Sequence, residues 1–228
     1  MGTTISFKRP DGQDASGYFA PAAEAHAPGI VVIQEWWGLQ EQIKGIADRL
    51  ALAGFNALAP DLYSGLVVPY HDREAAGKAM GSLNFLDATD ESVRGAAIFL
   101  KRNGAKVGIT GFCMGGAVSI LAACRVPEFT CAAPFYGIPP EAVAKPADVK
   151  IPLQCHFANI DDRCTPAAVN AFEAALKAAG KDFALYRYDS EHGFVNEQRG
   201  AHDREDSELA WIHSFRRVLF RSDRKSVV

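Results

Sequence analysis

The sequence predicts an α/β protein, with a mostly parallel central sheet and helices on both faces. Three observations carry this. Apolar runs of strand length alternate with amphipathic stretches of helix length, the pattern of strand–helix–strand crossovers. The run Gly29 to Ile33 (GIVVI) is apolar at every position, as a strand buried on both faces must be. The residues with reactive chemistry fall just past strand ends, where parallel sheets bind their ligands.

Taken in order, Ile5-Ser6-Phe7 and Gly17-Tyr18-Phe19-Ala20 flank the turn Pro10-Asp11-Gly12 and form a leading antiparallel pair. GIVVI is the first buried strand. Gln40 to Ala53 sets Ile43, Ile46, Ala47 and Leu50 at helical spacing and ends at Gly54, a helix-terminating residue. Phe55 to Ala59 is the next strand, stopped by Pro60. Residues 61 to 86 are irregular and then helical, and Asp90 to Lys101 is a further helix. Lys106 to Thr110 (KVGIT) is a strand, followed by a glycine-rich turn and a helix from about Met114 to Cys124. Cys131–Phe135, Leu153–Phe157 and Phe183–Tyr188 are three more strands, and Ala167 to Ala179 is a helix ended by Gly180.

A length of 228 residues suits one domain, or at most two small ones. With 48% hydrophobic and 22% charged residues the composition is that of an ordinary globular chain. Lys plus Arg number 24 against 27 Asp plus Glu, and the net charge of -3 argues against a nucleic-acid or anionic-membrane partner. The apolar runs are short and interrupted, so none spans a bilayer. The start, MGTTISFKRPDG, lacks the basic-then-apolar layout of a secretory signal. Five cysteines, with no CxxC spacing, fit a reducing compartment and no zinc site. The expectation is a cytoplasmic monomer acting on a small molecule, with no cofactor and no metal.

Gly111-Phe112-Cys113-Met114-Gly115-Gly116 follows KVGIT and precedes a helix of small residues. It fits the nucleophile elbow G-x-nucleophile-x-G, with Cys in place of Ser. A helix N-terminus beneath the sulfur favours thiolate, and the backbone N–H of Met114 faces a developing oxyanion. The competing reading is a buried structural cysteine in a glycine-rich turn. Asp161 and Asp162 come directly after the strand Leu153–Phe157, and a carboxylate there can orient a histidine; Asp162 better suits a solvated loop or helix cap. His192 lies just past the strand ending at Tyr188. The chain order Cys113, Asp161, His192 is that of the α/β-hydrolase triad. His26, His71, His156, His202 and His213 lack such placement and are structural or surface residues. At the end of GIVVI, Glu35 sits where the oxyanion loop of that fold lies, the N–H of Trp36 is a second oxyanion donor, and Trp36 and Trp37 wall an apolar pocket.

With these residues the chain resembles the dienelactone hydrolase (carboxymethylenebutenolidase) family. The resemblance runs from about Ile5 to Trp211 and includes QEWWGL, the APDLY of Ala59–Tyr63, GFCMGGA and the HGF of His192–Phe194. It implies an α/β-hydrolase domain without a large cap over residues 1–212, followed by an atypical basic tail over 213–228. It carries a Cys–His–Asp triad onto Cys113, His192 and Asp161, the last preferred to Asp162 by the family's spacing from His156. It implies that Glu35 hydrogen-bonds the resting thiol and holds it poorly reactive until substrate displaces the acid. Enzymes of the family hydrolyse dienelactones, cyclic enol esters whose carboxylate is held by two arginines. Arg73 approximately matches one of them. The other position, four residues after the triad histidine, is Asn196 here, with Arg199 as the substitute. This departure bears on the dienelactone substrate more than on ester hydrolysis.

The implied function is therefore a cysteine hydrolase of small lactones or enol esters that works through a thioester. The reading from another class is a catalytically silent scaffold that binds a small ligand or a protein on the same surface. From Arg216 onward the tail holds five basic residues and one acid; without it the chain has 19 basic and 26 acidic residues, a net of -7. No function follows from it.

Overall fold

The computed structural model describes residues 1–102 and 104–217. Within them an eight-stranded sheet has the order β1-β2-β4-β3-β5-β6-β7-β8. β1 (Thr3–Lys8) and β2 (Asp14–Ala20) form the expected antiparallel pair, and β2 joins the sheet antiparallel to β4 (Asn56–Pro60). β3 (Gly29–Ile33), β4, β5 (Val107–Phe112), β6 (Phe129–Phe135), β7 (Leu153–Ile160) and β8 (Phe183–Glu191) are all parallel. This is the α/β-hydrolase arrangement without a large cap.

The GIVVI strand explains why the sheet needs two covering layers. Side chains alternate across a strand. Val31 and Ile33 enter one core with α4 (Arg94–Lys101), α5 (Met114–Arg125) and α6 (Pro166–Ala178). Ile30 and Val32 enter the other, under α1 (Glu41–Leu52) and α7 (Arg204–Arg217). The face of α1 that is buried is the expected one, Ile43, Ile46, Ala47 and Leu50. A third, small cluster of Trp37, Val68 and Ala76 ties α2 (Arg73–Ser82) to the loop after β3.

Two elements differ from the sequence reading. The helix expected from Asp90 begins earlier. Asn84 caps it through Leu86 N–H and Asp87 N–H, and α3 (Phe85–Asp87) and a π-helical turn (Ala88–Val93) run into α4. The second difference is α7, whose sequence REDSELAWIHSFRR shows no continuous apolar stripe. Among its described side chains only Ala210 and Ser214, four residues apart, are fully buried, while His213 stacks on Tyr186 of β8 at 4.2 Å. Its start is marked by Asp203, whose Oδ1 accepts from Asp206 N–H at 2.9 Å. The boundary expected at residue 212 thus falls inside a helix that runs to Arg217, and the remainder of the expected tail, 218–228, lies outside the described residues. Among the described residues no helix is long and apolar enough to cross a membrane.

Candidate active site

Chemistry gathers at the carboxyl ends of the six parallel strands. Glu35 and Trp36 follow β3, Tyr63 follows β4, and Cys113 follows β5. Tyr136, Asp161 and His192 follow β6, β7 and β8.

Cys113 has φ 55° and ψ -114°, a conformation disfavoured for a side chain with a Cβ. Neighbouring strands hold it there. Its N–H donates to the Phe135 carbonyl at 3.1 Å, and its own carbonyl accepts from Gly116 and Ala117 N–H in the first turn of α5. The turn closes only because of what glycine lacks. A Cβ on Gly115 would lie 2.5 Å from the Ile33 carbonyl oxygen and 2.6 Å from that of Gln34, and one on Gly111 would run into the Gly115 carbonyl. α5 therefore points its N-terminus at the end of β3. Met114 opens that helix, so its N–H has no partner within it. The N–H of Trp36 makes no hydrogen bond among the described residues.

His192 Nε2 lies 3.1 Å from Cys113 Sγ, and its Nδ1 lies 2.8 Å from Asp161 Oδ2. The other Asp161 oxygen accepts from the N–H groups of Arg163 (2.7 Å) and Cys164 (2.9 Å). Asp162 does not join them: its side chain is 83% exposed and faces Arg163 at 3.5 Å. Burial works against the charge on His192, but its bonds to Asp161 and Cys113 and their negative charges outweigh it and push the imidazole up to about 10. Burial likewise works against the Asp161 carboxylate. The hydrogen bond and charge of His192, with the two backbone donors, prevail and hold it below the usual carboxylate value.

Glu35 is 2% exposed, and the hydrogen bond from the thiol that the resemblance implies is absent among the described residues. Tyr136 donates to Oε1 at 3.2 Å and the Asn196 amide to Oε2 at 2.9 Å, so both carboxylate oxygens are already engaged, while the sulfur faces His192. Burial pushes the Glu35 carboxyl up, against the Asn196 bond, the charges of Arg199 and His192, and the Tyr136 bond. Asn196 is fully buried and also reaches Tyr70 Oη at 3.4 Å.

The remaining expected residues divide. Trp36 is half-buried, with its ring 4.9 Å from that of Trp37 at 62°. Trp37 is corrected from pocket wall to core: it is 1% exposed and covered by Val68, Tyr70 and Ala76. Arg199 lies at the site, 5.8 Å from the Trp37 ring and so close to Gly193 that a Cβ there would meet its Nη1 at 2.6 Å. Arg73 is exposed on the first turn of α2, and no hydrogen bond or ion pair among the described residues ties it to the site. His156 is structural, as expected. Its Nδ1 meets Tyr188 Oη at 2.8 Å and its Nε2 meets Ser214 Oγ at 2.9 Å, and burial aided by His213 pulls it down to about 3.

Tyr136 was not singled out by its sequence. It is fully buried with φ 34°, its hydroxyl holds Glu35, and its ring stands edge-on to His192 at 5.1 Å. The available signal was positional: it directly follows a parallel strand, as the triad residues do. Among the described residues no group of three or more His, Cys, Asp or Glu is arranged to hold a metal ion.

The model of the dienelactone hydrolase family matches residues 15–218 of this chain. Protein usf of Aquifex pyrophilus is 35% identical over 211 residues, spanning 87% of this chain and 89% of that protein. A "Putative carboxymethylenebutenolidase" of Aquifex aeolicus is 33% identical over 211 residues, with 87% of this chain and 89% of the relative covered. The crystal structure of a "Putative Dienelactone Hydrolase" from Klebsiella pneumoniae superposes with a TM-score of 0.81 at 25% identity, over 93% of this chain and 96% of that one.

Proposed function

The chain belongs to the dienelactone hydrolase family, and from that premise we propose that this carboxylic-ester hydrolase opens small lactones and enol esters through a thioester on Cys113. The observation that carries this reading is the unbroken line from Cys113 Sγ to His192 Nε2 and from His192 Nδ1 to Asp161 Oδ2. An imidazolium beside the sulfur and a helix N-terminus beneath it both stabilise a thiolate. The sulfur adds to the carbonyl carbon, and the N–H groups of Trp36 and Met114 receive the oxygen as it becomes negative. The C–O bond to the leaving group breaks as that oxygen takes the proton from Nε2. Water then attacks the thioester, passing its proton to Nε2, and the C–S bond breaks to return the thiolate. Asp161 keeps the ring oriented throughout.

A leaving group that departs as a stabilised enolate suits this nucleophile, because a thiolate displaces ordinary alkoxides reluctantly. Asn196 is committed to Glu35, which leaves Arg199 as the cation for a substrate carboxylate, with Arg73 more distant in the same role. Cys113→Ala is the direct test. It should lower p-nitrophenyl acetate turnover by more than about 10³-fold and abolish the acyl adduct seen by intact-mass analysis. The melting temperature should hold, since only one sulfur leaves a half-buried position. Turnover above a few per cent of wild type would rule out the covalent route.

A further inference from the structure

The APDLY segment ends on Tyr63, which the mechanism above does not use. The residue is held firmly from both ends of its loop. Asp61 Oδ1 accepts from the Tyr63 N–H at 2.9 Å and its other oxygen from Gly65 N–H, while Ser64 and Gly65 take φ values of 54° and 92°. Leu62 N–H donates to Gln34 Oε1 at 3.2 Å, which binds this loop to the loop carrying Trp36. The Tyr63 ring packs with Trp36 and Met114 in one core, and its hydroxyl reaches Met114 Sδ at 3.2 Å. Its hydroxyl thus touches the residue that offers one backbone oxyanion donor, and its loop is bonded to the segment that offers the other.

A thioether is a weak acceptor, and among the described residues it is the one acceptor given to this O–H. A half-buried phenol so poorly partnered is ready to donate elsewhere. Burial, with the charge at Cys113, drives the phenol's pKa upward, so the group stays protonated and acts as a donor.

We propose that Tyr63 is a further catalytic residue, whose O–H leaves the Met114 sulfur and donates to the oxyanion alongside the N–H groups of Trp36 and Met114. This rests on the thioester mechanism. When Sγ bonds to the carbonyl carbon, the C=O π pair moves onto oxygen, and the phenol stabilises that charge without giving up its proton. Collapse re-forms C=O and expels the leaving group, protonated by His192, and the phenol returns to sulfur. Attack of water on the thioester builds the same oxyanion, so both half-reactions depend on Tyr63.

Tyr63→Phe keeps the ring and removes the donor. The expected kcat for p-nitrophenyl acetate falls about 10²- to 10³-fold, the range for loss of one oxyanion donor, with KM changed less than about threefold. Iodoacetamide is the internal control, because alkylation displaces iodide at a saturated carbon and forms no oxyanion. Its rate of Cys113 labelling, and the melting temperature, should match wild type. A kcat within threefold of wild type overturns the proposal, as does a labelling rate that falls in step with kcat. Cys113→Ala run in parallel separates the two levels: full activity there overturns the thiol mechanism itself, whereas an inactive C113A beside a fully active Y63F overturns the role of Tyr63 alone. Tyr63→His, which restores a donor on a ring, should recover part of the lost kcat; no recovery, with both proteins folded, also counts against the proposal.

Discussion

Asp161 and Asp162 are chemically identical neighbours, yet their surroundings separate them completely. Asp161 accepts three hydrogen bonds, from His192 and two backbone N–H groups, while Asp162 is largely in water. Asp161→Asn replaces the carboxylate that sets the His192 tautomer and should lower kcat by up to about 10⁴-fold, the loss known for the equivalent change in a serine triad. Asp162→Asn should change kcat less than about twofold, as expected for a solvated surface carboxylate. Steady-state kinetics on the two variants decide it, and a reversed order would move the acid to Asp162. Glu35 teaches the same lesson from the other side. A strand-end acid beside the nucleophile invites a direct contact, but two neutral donors from distant parts of the chain take up both its oxygens.

At the scale of elements, the elbow works because α5 approaches β3 backbone to backbone. Gly115→Ala would set a methyl group against two main-chain carbonyls that cannot move aside. It should cost about 3 kcal/mol or more, by the penalty for overpacking a rigid contact. Gly45 supplies the contrast. It lies within α1, exposed, with nothing near its missing Cβ. Gly45→Ala should stabilise by about 0.5–1 kcal/mol through helix propensity alone. Urea unfolding of both variants measures the difference, and equal effects of the two would discount the close approach.

For the whole molecule, two histidines set opposite limbs of the stability curve. The folded pKa of His192 is raised from 6.5 to about 10, so its contribution is fully present below 6.5 and is lost as pH rises from there through 10. His156 is lowered from 6.5 to about 3. In that window the unfolded chain binds a proton that the folded one refuses, so stability falls as pH drops below 6.5. Asp161, held below 3.8, adds to the same acid limb. Each fully developed limb has a slope of up to about 1.4 kcal/mol per pH unit per group. Denaturation midpoints measured across pH should therefore peak near 6.5. His156→Gln, which retains groups able to bond Tyr188 and Ser214, should flatten the acid side; an unchanged acid slope in that variant would remove His156 as its source.

The chain order of strands and helices as far as the last strand, the two-sided burial of GIVVI and the glycine elbow around Cys113 were all legible in the sequence. Each depends on local periodicity or on the steric needs of neighbouring residues, and a few consecutive residues record both. The resemblance to the dienelactone hydrolase family then joined Cys113, His192 and Asp161 into one candidate site. Only the tertiary structure decided what Glu35 touches, that Asn196 and Tyr136 are spent on holding it, that Trp37 is core, and that the Tyr63 hydroxyl reaches the Met114 sulfur. It also added the last helix, Arg204–Arg217, whose two buried positions among the described side chains, Ala210 and Ser214, are too few to register as an amphipathic pattern. The reason is separation along the chain. Glu35 meets Tyr136 across 101 positions and Asn196 across 161, contacts that exist only once six strand ends are brought to one edge of the sheet.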